Sequence, residues 1–216
     1  KLQSIADQEA FVMSSAKEPA HGVIVRSPDG LEFKRYQMAF FDWYRQRQVN
    51  RPTSPSLLLA DEMGTGKTIM SAGLFSQISD QKDNGEQPRF LVICTAGMKI
   101  TWEREVKKWC RGLSTVKIKG TKLLDYLPTE NVVIINYDLV VHHRPWIDQI
   151  AEKYGWDLII CDEAHYMKNP KAKRTSAILG GRIVSGNRNE FRLDKRVSSI
   201  EGKKLFLTGT PLVNRP

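Results

Sequence analysis

Asp61-Glu62-Met63-Gly64-Thr65-Gly66-Lys67-Thr68 directly follows the apolar run Leu57-Leu58-Leu59-Ala60 and joins two glycines to a lysine and a hydroxyl. Gly64 and Gly66 permit the tight backbone in which amide N–H groups turn toward phosphate oxygens. Lys67 is then placed to reach the β and γ phosphates, and Thr68 to offer its hydroxyl to Mg²⁺. The first glycine of the general phosphate-loop signature is absent, and Asp61 stands in its place. A second apolar run, Leu158-Ile159-Ile160-Cys161, ends in Asp162-Glu163-Ala164-His165. This sets two carboxylates at the carboxyl end of a strand, where ligands of open α/β sheets bind. Asp162 suits a Mg²⁺ held through water, as the acidic partner of Thr68, and Glu163 suits orienting or deprotonating an attacking water. Both acids could simply cap the next helix, but capping alone leaves the strand and the glycine loop unconnected. His165 has no zinc-ligand spacing around it, and it reads as a hydrogen-bonding coupler.

These groups need a sheet to hold them. Buried strands are expected at Leu57–Ala60, Phe90–Cys94, Thr115–Ile118, Val132–Ile135, Leu158–Cys161 and Leu205–Leu207, with helix-length segments between them. Continuous apolar strands of this kind belong to a parallel sheet covered on both faces, so the fold class is α/β. Helices are expected over about Arg35–Arg47, Lys67–Ser79, Thr101–Cys110 and the start of Pro170–Gly180. A short helix is expected near Gln8–Ser15, a strand at Gly22–Arg26 and a turn at Ser27-Pro28-Asp29-Gly30. The polar stretch Gly181 to Glu201 reads as a loop or weak hairpin. Trp43, Trp102 and Trp109 read as core residues rather than base-stacking platforms.

The chain has 216 residues, room for one α/β domain and a preamble but not for a second domain of equal size. Its net charge of +9 favours an anionic partner such as nucleic acid. Between Lys171 and Lys204 there are ten basic residues against three acidic ones, so the surplus is concentrated in one segment. Cys94, Cys110 and Cys161 are scattered and odd in number, which suggests buried thiols in a reduced intracellular setting. No apolar run reaches membrane-spanning length, and the first residues carry no signal-peptide pattern. Lys1 in place of methionine suggests a trimmed or internal piece.

In order along the chain, the motifs resemble the first motor lobe of superfamily 2 helicases, and within it the Swi/Snf-type translocases on double-stranded DNA. Phe33-Lys34-Arg35-Tyr36-Gln37 is similar to that family's adenine-recognition segment, and Leu59 to Thr68 to its first motif. Cys94-Thr95-Ala96 with Trp102-Glu103-Arg104-Glu105, then Asn136-Tyr137-Asp138, resemble the next two. Asp162 to Asn169 and Leu207 to Pro216 resemble its hydrolysis and coupling motifs. The Trp-Glu-Arg-Glu segment and the ending look especially like the annealing-helicase branch and its microbial and viral relatives.

The resemblance implies a RecA-like P-loop domain over residues 33–216, with residues 1–32 as a preamble or accessory segment and a basic insertion at about 181–201. It implies ATP and Mg²⁺ as cofactors. Tyr36, Gln37, Met63, Gly64, Thr65, Gly66, Lys67 and Thr68 would hold the nucleotide, Thr68 and Asp162 the metal, and Lys67, Asp162 and Glu163 would carry catalysis. His165, Thr208, Gly209 and Thr210 would couple nucleotide state to the DNA surface. Thr95, Lys99, Asn136 and Tyr137 would meet phosphates of one strand. Thr95 and Thr208 read equally well as capping or turn hydroxyls.

The insertion departs from the family pattern. It is either an ordinary solvated loop or a DNA-facing attachment through Arg182, Arg188, Arg192, Lys195 and Arg196. Expected partners are double-stranded or branched DNA and a second RecA-like lobe of the same polypeptide, which lies outside this sequence, with no membrane. Without that lobe's arginines, hydrolysis would be slow or absent. The compartment would be the nucleus in a eukaryote, and otherwise the cytoplasm or an infected host cell. Two other readings stay open: a strand-separating or restriction-type lobe of the same superfamily, and a nucleotide-gated DNA-binding module without turnover.

Overall fold

The computed structural model describes residues 10–11, 27, 29–50, 56–82, 85–185 and 193–209. Seven strands form one parallel sheet: β1 (Ala10–Phe11), β2 (Ser56–Ala60), β3 (Phe90–Cys94), β4 (Thr115–Lys117), β5 (Val132–Asn136), β6 (Leu158–Cys161) and β9 (Lys204–Thr208), in the order β1-β2-β9-β6-β3-β5-β4. The fold is therefore α/β with a parallel sheet, as expected. All six expected strands are present. The expected helix near Gln8–Ser15 is corrected where it is described, since Ala10–Phe11 instead pairs in parallel with Leu58 and Leu59. A helix that short is marginal alone, whereas the open edge of β2 offers ladder hydrogen bonds. The expected strand at Gly22–Arg26 lies outside the described residues. The turn before the first helix is present, with Gly30 N donating to Ser27 O at 2.9 Å.

Alternation along each buried strand divides the core in two. Leu57, Leu59, Phe90, Val92, Ile160, Leu205 and Leu207 face one way and pack against Phe40, Met70, Leu74, Phe75 and Trp102. These come from α1 (Arg35–Asn50), α2 (Lys67–Asp80) and α3 (Lys99–Trp109). Leu58, Leu91, Ile93, Val133, Ile135, Ile159 and Phe206 face the other way, onto Val140, Trp146, Ile147, Ile150, Ala177 and Ile178. The helices on this face are α4 (Tyr137–Tyr154) and α5 (Lys173–Leu179). Successive residues on a strand point to opposite faces, so a fully apolar run needs helices on both sides. Trp102 is wholly buried, Trp109 nearly so, and Trp43 packs against the first cluster, as core residues should. Cys94, Cys110 and Cys161 are buried and free, and burial pushes each thiol up to about 12.

Between α5 and β9, strands β7 (Gly180–Ser185) and β8 (Leu193–Ser199) form a separate antiparallel pair. The hairpin alternative for this stretch is thus the one adopted. Ile200 N donates to Ile178 O at 3.0 Å at its root. Lys204, which follows, sits level with Ile159 at the start of β6. The chain leaves β6 at the carboxyl edge of the sheet, returns through α5, and re-enters at Lys204, so the hairpin is rooted at the amino edge.

Candidate nucleotide and nucleic-acid site

Parallel pairing puts every strand's carboxyl end on one edge, and the order β2-β9-β6 sets β9 between the two chemical segments. Ala60 pairs with Thr208, and Asp61 N donates to Thr208 O at 3.1 Å. The start of the glycine loop and the end of β9 are therefore stitched together. Gly64 and Gly66 take left-handed backbone conformations, with φ of 83° and 86°, which a residue with a Cβ rarely adopts. Thr65 Oγ1 donates to Glu62 O at 2.9 Å, and Glu62 N donates to Asp61 Oδ1 at 2.7 Å. Asp61 thus uses its side chain to turn the loop where the general signature has a glycine. Met63 projects from the loop and is 80% exposed.

Lys67 Nζ donates to Asp61 O at 2.8 Å and Glu62 O at 2.7 Å, which uses two of its three protons. Burial lowers its pKa, opposed by the charges of Asp61, Glu163 and Asp162. That opposition places the lysine within electrostatic reach of the carboxylates at the end of β6. Gln37 is buried at the start of α1; its Nε2 donates to Thr65 O at 3.2 Å and its Oε1 accepts from Lys34 N at 2.9 Å. A Cβ on Gly66 would stand 2.5 Å from Gln37 Nε2. Gln37 therefore braces the glycine loop from α1, with Tyr36 half-buried beside it.

Asp162 is 5% exposed and held from four sides. Its N donates to Ile93 O at 2.8 Å, its carbonyl accepts from Tyr137 Oη at 2.7 Å, Oδ1 accepts from Glu163 N at 3.0 Å, and Oδ2 accepts from Trp102 Nε1 at 2.8 Å. Burial raises its pKa, and the Trp102 hydrogen bond works against that. Glu163 is the one non-glycine residue with positive φ among the described residues, at 52°. Backbone held in that region stores strain, which concentrates at working sites. His165 Nδ1 lies 3.1 Å from Glu163 Oε2, an approach without hydrogen-bond alignment. Thr208 is buried and Gly209 follows it beside Met63, while Thr210 lies outside the described residues.

Next along the same edge, Lys99 Nζ donates to Asn136 Oδ1 at 3.0 Å and to Ile118 O at 2.9 Å. Lys99 opens α3, and Thr95 precedes the short turn before it, half-buried. The structure thus gathers Thr95, Lys99 and Asn136. Tyr137 faces inward at 2% exposure with its hydroxyl committed to Asp162, so it braces the carboxylate instead of presenting a surface donor. Arg182, Lys195 and Arg196 lie on the hairpin, away from this edge, with Arg182 directly opposite Arg196; Arg188 and Arg192 lie outside the described residues. Trp102 as a partner of Asp162 was missed by sequence reasoning, which placed it only in the core. Its spacing of 60 residues from Asp162 carries no local signal.

The residues present fit a nucleotide with its cation. A Cβ on Gly64 would meet nothing within 4 Å, so the loop opens onto free space. A cation of the Mg²⁺ type takes one or two protein oxygens together with phosphates and water, and Thr68 and Asp162 can supply that number.

The family model for the SNF2-related domain matches residues 36–216. The chain belongs to this family. SNF2-related domains are ATP-hydrolysing, helicase-type domains, so membership implies the use of ATP and Mg²⁺. Helicase swr1 of Emericella nidulans is 31% identical over 189 residues, covering 84% of this chain and 10% of that protein. Nuclear protein STH1/NPS1 of Saccharomyces cerevisiae is 30% identical over 224 residues, covering 99% of this chain and 15% of that protein. The solved Sulfolobus solfataricus SWI2/SNF2 ATPase core in complex with dsDNA matches with a TM-score of 0.60 and 25% identity, over 84% of this chain and 32% of that one. The chain therefore spans a small part of these relatives' length. The match is to SNF2-related domains of the remodelling kind and does not single out the annealing-helicase branch. No helix among the described residues is long and apolar enough to cross a membrane.

Proposed function

We propose that this domain is the nucleotide-binding lobe of an ATPase that is driven by, and moves along, double-stranded DNA. The observation that carries the reading is the β2-β9-β6 adjacency, which sets Lys67 within electrostatic reach of Asp162 and Glu163 beside the Lys99–Asn136 pair. The domain spans residues 33–216, with residues 1–32 accessory. Gln37 and Tyr36 take the adenine, and the backbone from Met63 to Gly66 with Lys67 takes the phosphates. Thr68 and Asp162 hold the cation, which supplies charge neutralisation on the phosphates. Glu163 accepts a proton from the attacking water, and His165, Thr208, Gly209 and Thr210 pass the result to the DNA side. A second RecA-like lobe of the same polypeptide supplies the arginines that complete the reaction.

Thr95, Lys99 and Asn136 follow one strand's phosphates, which gives affinity without sequence readout. The complex with dsDNA formed by the archaeal core supports duplex as the track. The basic residues Arg182, Arg188, Arg192, Lys195 and Arg196 of the insertion add further contacts to the polyanion. Arg182 and Arg196 are paired in register across the two strands, which sets two basic positions side by side. Reversing Arg182 and Arg196 to glutamate weakens DNA binding and flattens its salt dependence. Annealing of branched DNA is a second reading, favoured by the wording of Trp102 to Glu105 and of the segment from Leu207 onward. The test is ATP turnover by the full-length protein with and without duplex. Several-fold stimulation supports the reading; turnover indifferent to DNA rejects it. Nucleotide binding with no turnover would favour a gated binding module.

A further inference from the structure

We propose that Trp102 is a positioning residue for the cation-holding carboxylate: its indole N–H sets the rotation of the Asp162 side chain. The inference rests on the reading of Asp162 given above. Trp102 Nε1 donates to Asp162 Oδ2 at 2.8 Å, and the ring is wholly buried between α3 and the sheet. A buried indole N–H needs an acceptor, and a buried carboxylate needs donors, so each satisfies the other's cost of leaving water. Among the described residues, the other donor on this carboxylate's oxygens is Glu163 N, on Oδ1. That bond comes from the next residue along the chain and moves with it, so among the described residues it is the indole that ties the carboxyl group by a hydrogen bond to a different element. Phe75 and Phe90 stack at 4.2 Å, with Trp102 6.4 Å from Phe75, so the indole is fixed by packing before any ligand arrives. Trp102 also lies one turn after Lys99, on the helix whose start faces the Asn136 edge. Outer-shell hydrogen bonds to metal-holding groups change metal affinity by about 10–100-fold when removed.

The test compares Trp102→Phe, and replacement of Trp102 by benzothienylalanine, which keeps the bicyclic shape and lacks the N–H, in the full-length protein. Binding of Mn²⁺ is followed by electron paramagnetic resonance in the presence of a non-hydrolysable ATP analogue, and analogue binding is measured separately in EDTA. Both variants are expected to hold Mn²⁺ about tenfold more weakly while binding the metal-free analogue as the wild type does. Wild-type Mn²⁺ affinity in the benzothienylalanine protein overturns the inference, provided that Asp162→Asn lowers that affinity. If Asp162→Asn leaves Mn²⁺ affinity unchanged, the reading of Asp162 fails, and the inference falls with it.

Discussion

The two sides of the proposed nucleotide site are built by opposite means. Around Gly64 and Gly66 the loop is exposed or half-buried and owes its shape to backbone freedom and mainly to short-range bonds such as Lys67 to Asp61 and Glu62, with Gln37 as a brace from α1 and Thr208 at its start. Asp162 is buried and owes its position to groups 25, 60 and 69 residues away, namely Tyr137, Trp102 and Ile93. A loop that must wrap a flexible polyphosphate needs conformations that only glycine adopts cheaply. A carboxylate that must hold a cation at one spot needs rigid partners on separate elements. The loop is therefore tuned by what the chain can do locally, and the carboxylate by what the fold brings to it.

The largest expected effect sharpens this contrast at its chemical end. Glu163→Gln in the full-length protein keeps nucleotide affinity within about twofold and lowers turnover by about 10²–10⁴-fold, because it removes a proton acceptor without touching the cradle. Single-turnover hydrolysis checks it. Gly66→Ala strikes the loop's backbone instead. A Cβ at φ 86° costs about 1–2 kcal/mol and would press on Gln37, so analogue affinity, read by fluorescence anisotropy, falls about tenfold. On the other side, Tyr137→Phe leaves the Asp162 carbonyl without its donor. Denaturant titration should show a loss of about 1–3 kcal/mol, whereas a substitution in the exposed part of the loop such as Met63→Gln stays within about 0.5 kcal/mol. The smallest effect concerns the buried thiols. With pKa raised from an ordinary 9.0 to about 12, Cys94 and Cys161 stay protonated in the fold while the unfolded chain ionises. Stability is thus retained below pH 9 and declines as pH rises from 9 toward 12. Native protein resists iodoacetamide at pH 8.5 and reacts after denaturation.

The same contrast decides how much of the protein could be read from its sequence. Leu57–Ala60, Phe90–Cys94 and Leu158–Cys161 are continuous apolar runs whose neighbours are fixed by burial on both faces, so strands, parallel pairing and the ligand edge all followed. The roles proposed for Lys67 and Thr68 came from adjacency along the chain. Trp102 carried only its apolar character, which placed it in the core and hid its N–H. The resemblance implied a phosphate contact for Tyr137, whereas α4 begins at that residue and turns its hydroxyl inward onto Asp162. Ala10–Phe11 was read by local periodicity as helix, and the open edge of β2 decided otherwise.

The proposed function requires that Lys67 and the carboxylates at the end of β6 belong to a single nucleotide site. Titration of a fluorescent ATP analogue with Mg²⁺ into wild type, Lys67→Ala and Asp162→Asn tests it directly. Loss of a charge-assisted contact to phosphate costs about 1.5–3 kcal/mol, so Lys67→Ala should weaken binding at least about tenfold with or without Mg²⁺. Asp162→Asn should weaken it only when Mg²⁺ is present. Equal affinity in all three proteins would contradict the account.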